Sequence, residues 1–270
     1  MKKLLAITLC LFSCSYLLAQ NVESIESETL NSNCDICIKV PKNYNESGDT
    51  TYPLILVLDG DYLFKPVVGQ IDLQSYFDVY SKSIIVGINS NIAYFQTLKE
   101  EMSSLSDSDF QDKFRAFIIN ELLPHLDNEL RINDFKVLVS HGKSSNLLNS
   151  FLLEKELVFN AYVNLSPDSS EDLNQNVIER LDELDQDIIY YVSTSTEASE
   201  NSEKSFSSII DQLKKVENRN FRFYFDDFNN ATNHTQVTRG MAKAFEKVFN
   251  QNKLERNKKE KVLSYQNTLD

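Results

Sequence analysis

The chain has 270 residues, of which 41% are hydrophobic and 25% charged, with 40 acidic residues against 27 basic ones. That apolar fraction supports an ample core and excludes wholesale disorder. The formal charge of −13 argues against a nucleic-acid or anionic-membrane surface, because such partners need clustered Lys and Arg.

Residues 1–19 read as a secretory signal: Lys2 and Lys3, an apolar run, and a small residue at Ala19. The run from Leu4 to Ala19 is short for a membrane span, and no other stretch is long enough to be one. A rival reading takes Leu11-Phe12-Ser13-Cys14 as a lipoprotein signal with Cys14 lipidated. Either way the protein is exported, to the periplasm or beyond. Residues 20–33 form a polar lead-in. Cys34 and Cys37 follow in a segment that itself reads as a strand, where positions i and i+3 face opposite ways. Two unrelated thiols and a local disulfide are both open readings.

The first strand is expected at Asp35–Val40, ended by Pro41 and a turn-rich stretch. Continuous apolar runs at Tyr52–Leu58, Ser83–Ile88, Phe135–Val139, Asn160–Leu165 and Asp187–Ser193 mark strands buried on both faces of a parallel sheet. Asn220–Phe225 closes the series. Helical spacing appears in Asp107–Leu130, where Pro124 is expected to break or kink the helix. It recurs in Ser144–Lys155, Glu203–Val216 and Thr238–Asn250, and more weakly after Phe64. Alternating strands and helices predict one α/β domain over residues 34–250, with a mostly parallel central sheet and helices on both faces. Residues 251–270 form a polar, lysine-rich tail.

Ligands in open α/β sheets bind beyond the carboxyl ends of the strands. Three such ends are unusual: Asp59-Gly60-Asp61, Ser140-His141-Gly142-Lys143-Ser144-Ser145, and Asp226-Asp227 followed by Asn229–His234. No second Cys pair or His cluster completes a zinc site, and Asp59 with Asp61 lacks a third cation ligand, so neither metal nor cofactor is expected.

These segments resemble the putative-esterase, enterochelin-esterase-like family of α/β-hydrolases. YPLILVLDGDYLF is similar to that family's YPVLYLLDGDxxF strand and oxyanion loop. FRAFIINELLPHLDNEL resembles its FxxFIxxELIPxIdxxY helix, and KVLVSHGKSSNLLNSFLLEKELVFNAYVNLSPDSS its rxLxGHSxGGlxalxxLlxxPxxFxxyixxSPS segment. The resemblance implies the α/β-hydrolase fold and a serine on a sharp strand-to-helix turn, the nucleophile elbow. It places Gly142 on the serine, His141 on the preceding His, and Ser140, Ser144 and Ser145 on the three glycines. His234 falls on the general base and Glu197 on the acid that orients it. Oxyanion-hole amides fall on Lys143 and on Asp61 or Tyr62.

Glycine has no side chain to attack a carbonyl. The expectation is therefore a secreted esterase-family protein that is catalytically impaired and offers a pocket to a small ester or carbohydrate-derived ligand. Two alternatives stand beside it. One is an active carboxylic-ester hydrolase working through Ser144, Ser140 or a water activated by His234. The other is a non-enzymatic protein on the same scaffold that binds a partner or a carbohydrate. His125 reads as a surface or packing residue and Asp226-Asp227 as solvated charge.

Overall fold

The computed structural model describes residues 21–46, 48–88, 107–195, 209–232 and 234–249. Residues 1–19, expected as a signal, residues 251–270 and Glu197 lie outside these residues, as do residues 203–208 of the helix expected at Glu203–Val216, of which 209–213 is helical.

Eight strands form one sheet. They are β1 (Asn21–Ser27), β2 (Ser32–Lys39), β3 (Tyr52–Val57), β4 (Ile84–Ile88), β5 (Ile132–His141), β6 (Ala161–Leu165), β7 (Ile188–Ser195) and β8 (Phe221–Phe228). The order is β1-β2-β4-β3-β5-β6-β7-β8. Strands β3 to β8 are parallel, whereas β1 and β2 join antiparallel at one edge. The apolar runs of β3, β4 and β6 are buried at every position, as a strand covered on both faces must be. Pro53 lies inside β3, where it has no N–H to give the ladder, and the pairing with β5 shifts register between Tyr52 and Leu54.

Residues 21–33, expected as a polar lead-in, contain β1, which pairs along its length with β2. Its sequence NVESIES is mostly polar because, among the described side chains of residues 22–27, only Ile25 and Ser27 are buried. Strand β8 runs three residues beyond the expected end, so Asp226 and Asp227 are strand residues. Cys34 and Cys37 are thiols buried on opposite faces of the sheet, in separate apolar clusters, and form no disulfide.

The helices cover both faces. One layer holds α1 (Gly60–Tyr76) and α6 (residues 235–249), which bury Phe64, Val67, Met241 and Phe245 against β3 to β7. The other holds α2 (Asp107–Phe117), α3 (Leu123–Glu129), α4 (Ser145–Phe151) and α5 (Glu171–Asp182). Helix α5 was not marked by the sequence pattern: Val177, Ile178 and Leu181 make a narrow apolar stripe among charges. Pro124 does not break the chain's helical path. A π-helical turn at Ile118–Leu122 joins α2 to α3, and its wider ring relieves the clash of the proline with the preceding turn. Glu121 of that turn accepts the Thr29 backbone N–H at 2.9 Å, tying the β1–β2 hairpin to this layer. Among the described residues, no helix is long and apolar enough to cross a membrane.

Candidate functional site

Strand β5 ends at His141, a 3-10 turn spans Gly142–Ser144, and α4 starts at Ser145. The apex residue Gly142 has φ +62°, left-handed backbone in which a glycine carries little penalty. A Cβ built there meets nothing within 4 Å. The strand–turn–helix elbow is thus complete in its backbone and open at the position where a nucleophile would stand. Its carbonyl accepts the Asp168 N–H at 3.0 Å, linking it to the segment after β6.

Asp59, at the end of β3, clamps the turn from the other side. Its Oδ2 accepts the His141 backbone N–H at 2.9 Å and the Ser144 hydroxyl at 2.5 Å. Burial pushes the Asp59 carboxyl up to about 6 from its usual value near 3.8. The Ser144 and His141 hydrogen bonds work against that rise, and the Asp61 charge adds to it. Tyr62, half-exposed on the first turn of α1, meets His141 Nδ1 through its hydroxyl at 2.8 Å. Loss of water, then the charges of Asp59 and Asp61, raise the Tyr62 hydroxyl above its ordinary value.

The expected oxyanion donors fall on two elements that meet here. Lys143 follows Gly142 in the turn, and Asp61 and Tyr62 lie in the first turn of α1, where N–H groups have no acceptor within the helix. The Leu63 N–H already bonds the Asp59 carbonyl at 2.9 Å. The close seat of α1 depends on Gly60, where a Cβ would lie 2.6 Å from the backbone of Gly87 and Ile88.

Neither substitute serine is oriented by His234. The Ser144 hydroxyl sits among Asp59 and the backbone N–H and carbonyl of its own turn. Ser140 is fully buried, and its hydroxyl donates to Asn164 Oδ1 at 3.1 Å. That bond opens an interior network running through Tyr190 and Asn149 to Asn174. His234 is exposed in the turn that enters α6 and makes no side-chain hydrogen bond among the described residues. His125 is remote from this site, with Nε2 2.8 Å from Glu23 Oε1 on β1. Asp226 accepts the Tyr191 hydroxyl at 3.0 Å.

Three residues that the sequence reading passed over also converge here. Gln236, Ser166 and Ser193 form a polar knot beneath the His234 turn, and two of the three, Gln236 and Ser193, are fully buried. Only Ser166 carried a signal, as the first residue of the SPD segment. Among the described residues no group of His, Cys, Asp and Glu could hold a metal ion. A groove of about 540 Å³ lies between α1 and α6, but no elbow residue lines it.

The family described as putative esterase matches residues 27–145, which include β3, the Asp59 loop and the elbow through Ser145. No curated protein matches the sequence. Among solved structures, an uncharacterised protein from Capnocytophaga ochracea is 23% identical with a TM-score of 0.73, over 83% of this chain and 62% of its own. This chain therefore spans less than two-thirds of that protein. An IroE-like serine hydrolase from Shewanella oneidensis is 21% identical with a TM-score of 0.73, over 85% of this chain and 80% of its own. The BES protein from Bacillus cereus is 18% identical with a TM-score of 0.71, over 86% of this chain and 97% of its own. At these identities the likeness concerns the fold. Over residues 27–145 the chain is thus similar in sequence to the putative-esterase family, and over the described residues it has the α/β-hydrolase fold of these solved structures.

Proposed function

We propose that this protein is an exported member of the esterase family that has lost acyl-transfer catalysis and binds a small ester or carbohydrate-derived ligand at the elbow. One observation carries the reading. Gly142 stands at the elbow apex with φ +62° and open space where a side chain would be. The backbone that positions a nucleophile is there, and the group that would attack is not. Lys143 follows Gly142 in the turn, the Tyr62 hydroxyl meets His141 Nδ1, and His234 follows the carboxyl end of β8, on the side of the sheet where this fold binds ligands. Export rests on the form of residues 1–19.

The expected outcome with p-nitrophenyl butyrate is no turnover that depends on His234. Hydrolysis abolished by His234→Ala would sink the proposal. Gly142→Ser should gain covalent labelling by a fluorophosphonate probe at residue 142, because the space and the turn are in place. One observation favours a second reading: the 2.5 Å bond from Ser144 to Asp59 gives that hydroxyl a carboxylate to take its proton. Labelling of Ser144 in the unmodified protein, located by mass spectrometry, would establish that reading instead.

A further inference from the structure

We infer that Gln236 is the positioning residue that fixes the His234 turn relative to the Gly142 elbow; the inference rests on the reading of these two positions given above. Gln236 lies two residues after His234 and is fully buried. Its Nε2 donates to Ser166 Oγ, and its Oε1 accepts the Ser193 hydroxyl at 2.9 Å. Both ends of the amide are thus occupied by side chains from two neighbouring strand ends.

The register shows what this joins. His141, Leu165 and Ser193 lie side by side on β5, β6 and β7. The next residues along β5 and β6 are Gly142 and Ser166, so the serine held by Gln236 is the neighbour of the elbow apex. Two residues further, the Asp168 N–H donates to the Gly142 carbonyl at 3.0 Å. The connection from His234 to Gly142 thus runs through one side chain and two short backbone steps.

Each end of that connection is held. Ser166 has φ +46°, a left-handed conformation rare outside glycine and asparagine, and its N–H bonds the Ser193 carbonyl at 2.8 Å. The His234 turn is itself closed by Thr232 and Thr235, whose hydroxyls accept one another's backbone N–H at 2.9 and 3.1 Å. Helix α6 can approach this knot because residue 240 is glycine; a Cβ there would lie 2.4 Å from Ser193 Oγ. These bonds hold the backbone on both sides of His234, and none of them uses the ring itself. A buried glutamine has a desolvation cost that an apolar side chain of this size would avoid, so orientation of the turn is the gain that explains it.

The test uses Gln236→Leu, with Ser166→Ala as a second variant that removes one acceptor and leaves the glutamine. The chain has three histidines, so imidazole NMR signals are readily assigned. In either variant the His234 signals should shift or broaden while those of His125, held by Glu23, stay in place. A lowered melting temperature with unchanged His234 signals would make Gln236 a packing residue and overturn the inference. In the Gly142→Ser background, Gln236→Leu should slow fluorophosphonate labelling on the order of 10- to 100-fold. Combining it with His234→Ala should cost no more than His234→Ala alone. Additive losses, or an unchanged labelling rate, would also overturn it. Should Gly142→Ser fail to label at all, the reading of the elbow falls, and the histidine spectrum alone decides the role of Gln236.

Discussion

At the scale of single residues, the elbow shows a division between what a backbone does and what a side chain does. Gly142 holds the turn through its backbone, by its left-handed φ and its carbonyl, while Asp59 holds it through hydrogen bonds from His141 and Ser144. Asp59 does so as an acid whose carboxyl is harder to ionise in the fold than in the unfolded chain. The folded protein therefore binds that proton more tightly. Its contribution to stability is full below about pH 4 and is lost as pH rises through about 6. Asp59→Asn keeps an acceptor for the His141 N–H and removes the charge. It should raise stability at pH 7.5 by about 1–2 kcal/mol, less than the full shift implies because the site is partly solvated, and leave stability at pH 4 nearly unchanged. Urea melts of both proteins at the two pH values check this; equal gains at both would contradict it. Gly142 was legible because its neighbours resemble a known pattern. Gln236 was not, because its partners lie 43 and 70 residues away in sequence and nothing local distinguishes a buried glutamine from a solvated one.

At the scale of elements, α1 carries two glycines with opposite demands. Gly60 lets the helix start against the end of β4, with backbone atoms of Gly87 and Ile88 at 2.6 Å from any added Cβ. Gly69 is exposed in mid-helix with nothing within 4 Å. Gly60→Ala should destabilise the protein by about 1–3 kcal/mol, since backbone cannot step aside. Gly69→Ala should stabilise it by about 0.5–1 kcal/mol through helix propensity. Thermal melts that gave the two changes the same sign would refute this account. The same helix shows where sequence patterns blur: its start signal, Asp-Gly-Asp, reads as a loop, and the pattern after Phe64 is weak. Its polar residues face solvent while Leu63, Phe64, Val67 and Ile71 go inward. In α2 and α3 the aromatic periodicity was clear, but a π turn ahead of Pro124 is a geometry that periodicity does not encode.

At the scale of the molecule, the parallel sheet was readable because a strand covered on both faces must be apolar throughout, as β3 and β4 are. The antiparallel hairpin at its edge followed different rules and was half missed: β2 was expected, β1 was not. The same strand alternation separates Cys34 from Cys37 across the thickness of the sheet. The melting temperature should therefore be the same with and without reductant, and a reductant-induced drop would show a cross-link that this geometry does not contain.

Strand β8, at the other end of the order, has a consequence for how molecules of this protein meet one another. An edge strand offers unpaired backbone groups to any passing strand, and FRFYFDDF is rich in the aromatic residues that such pairing favours. Here the rings are overlaid by ammonium groups, Lys214 at 5.3 Å from Phe225 and Lys247 at 5.5 Å from Tyr224. Arg222, Asp226 and Asp227 interrupt the apolar run along the strand itself. Charges with no part in the elbow thereby guard against edge-to-edge aggregation at high protein concentration.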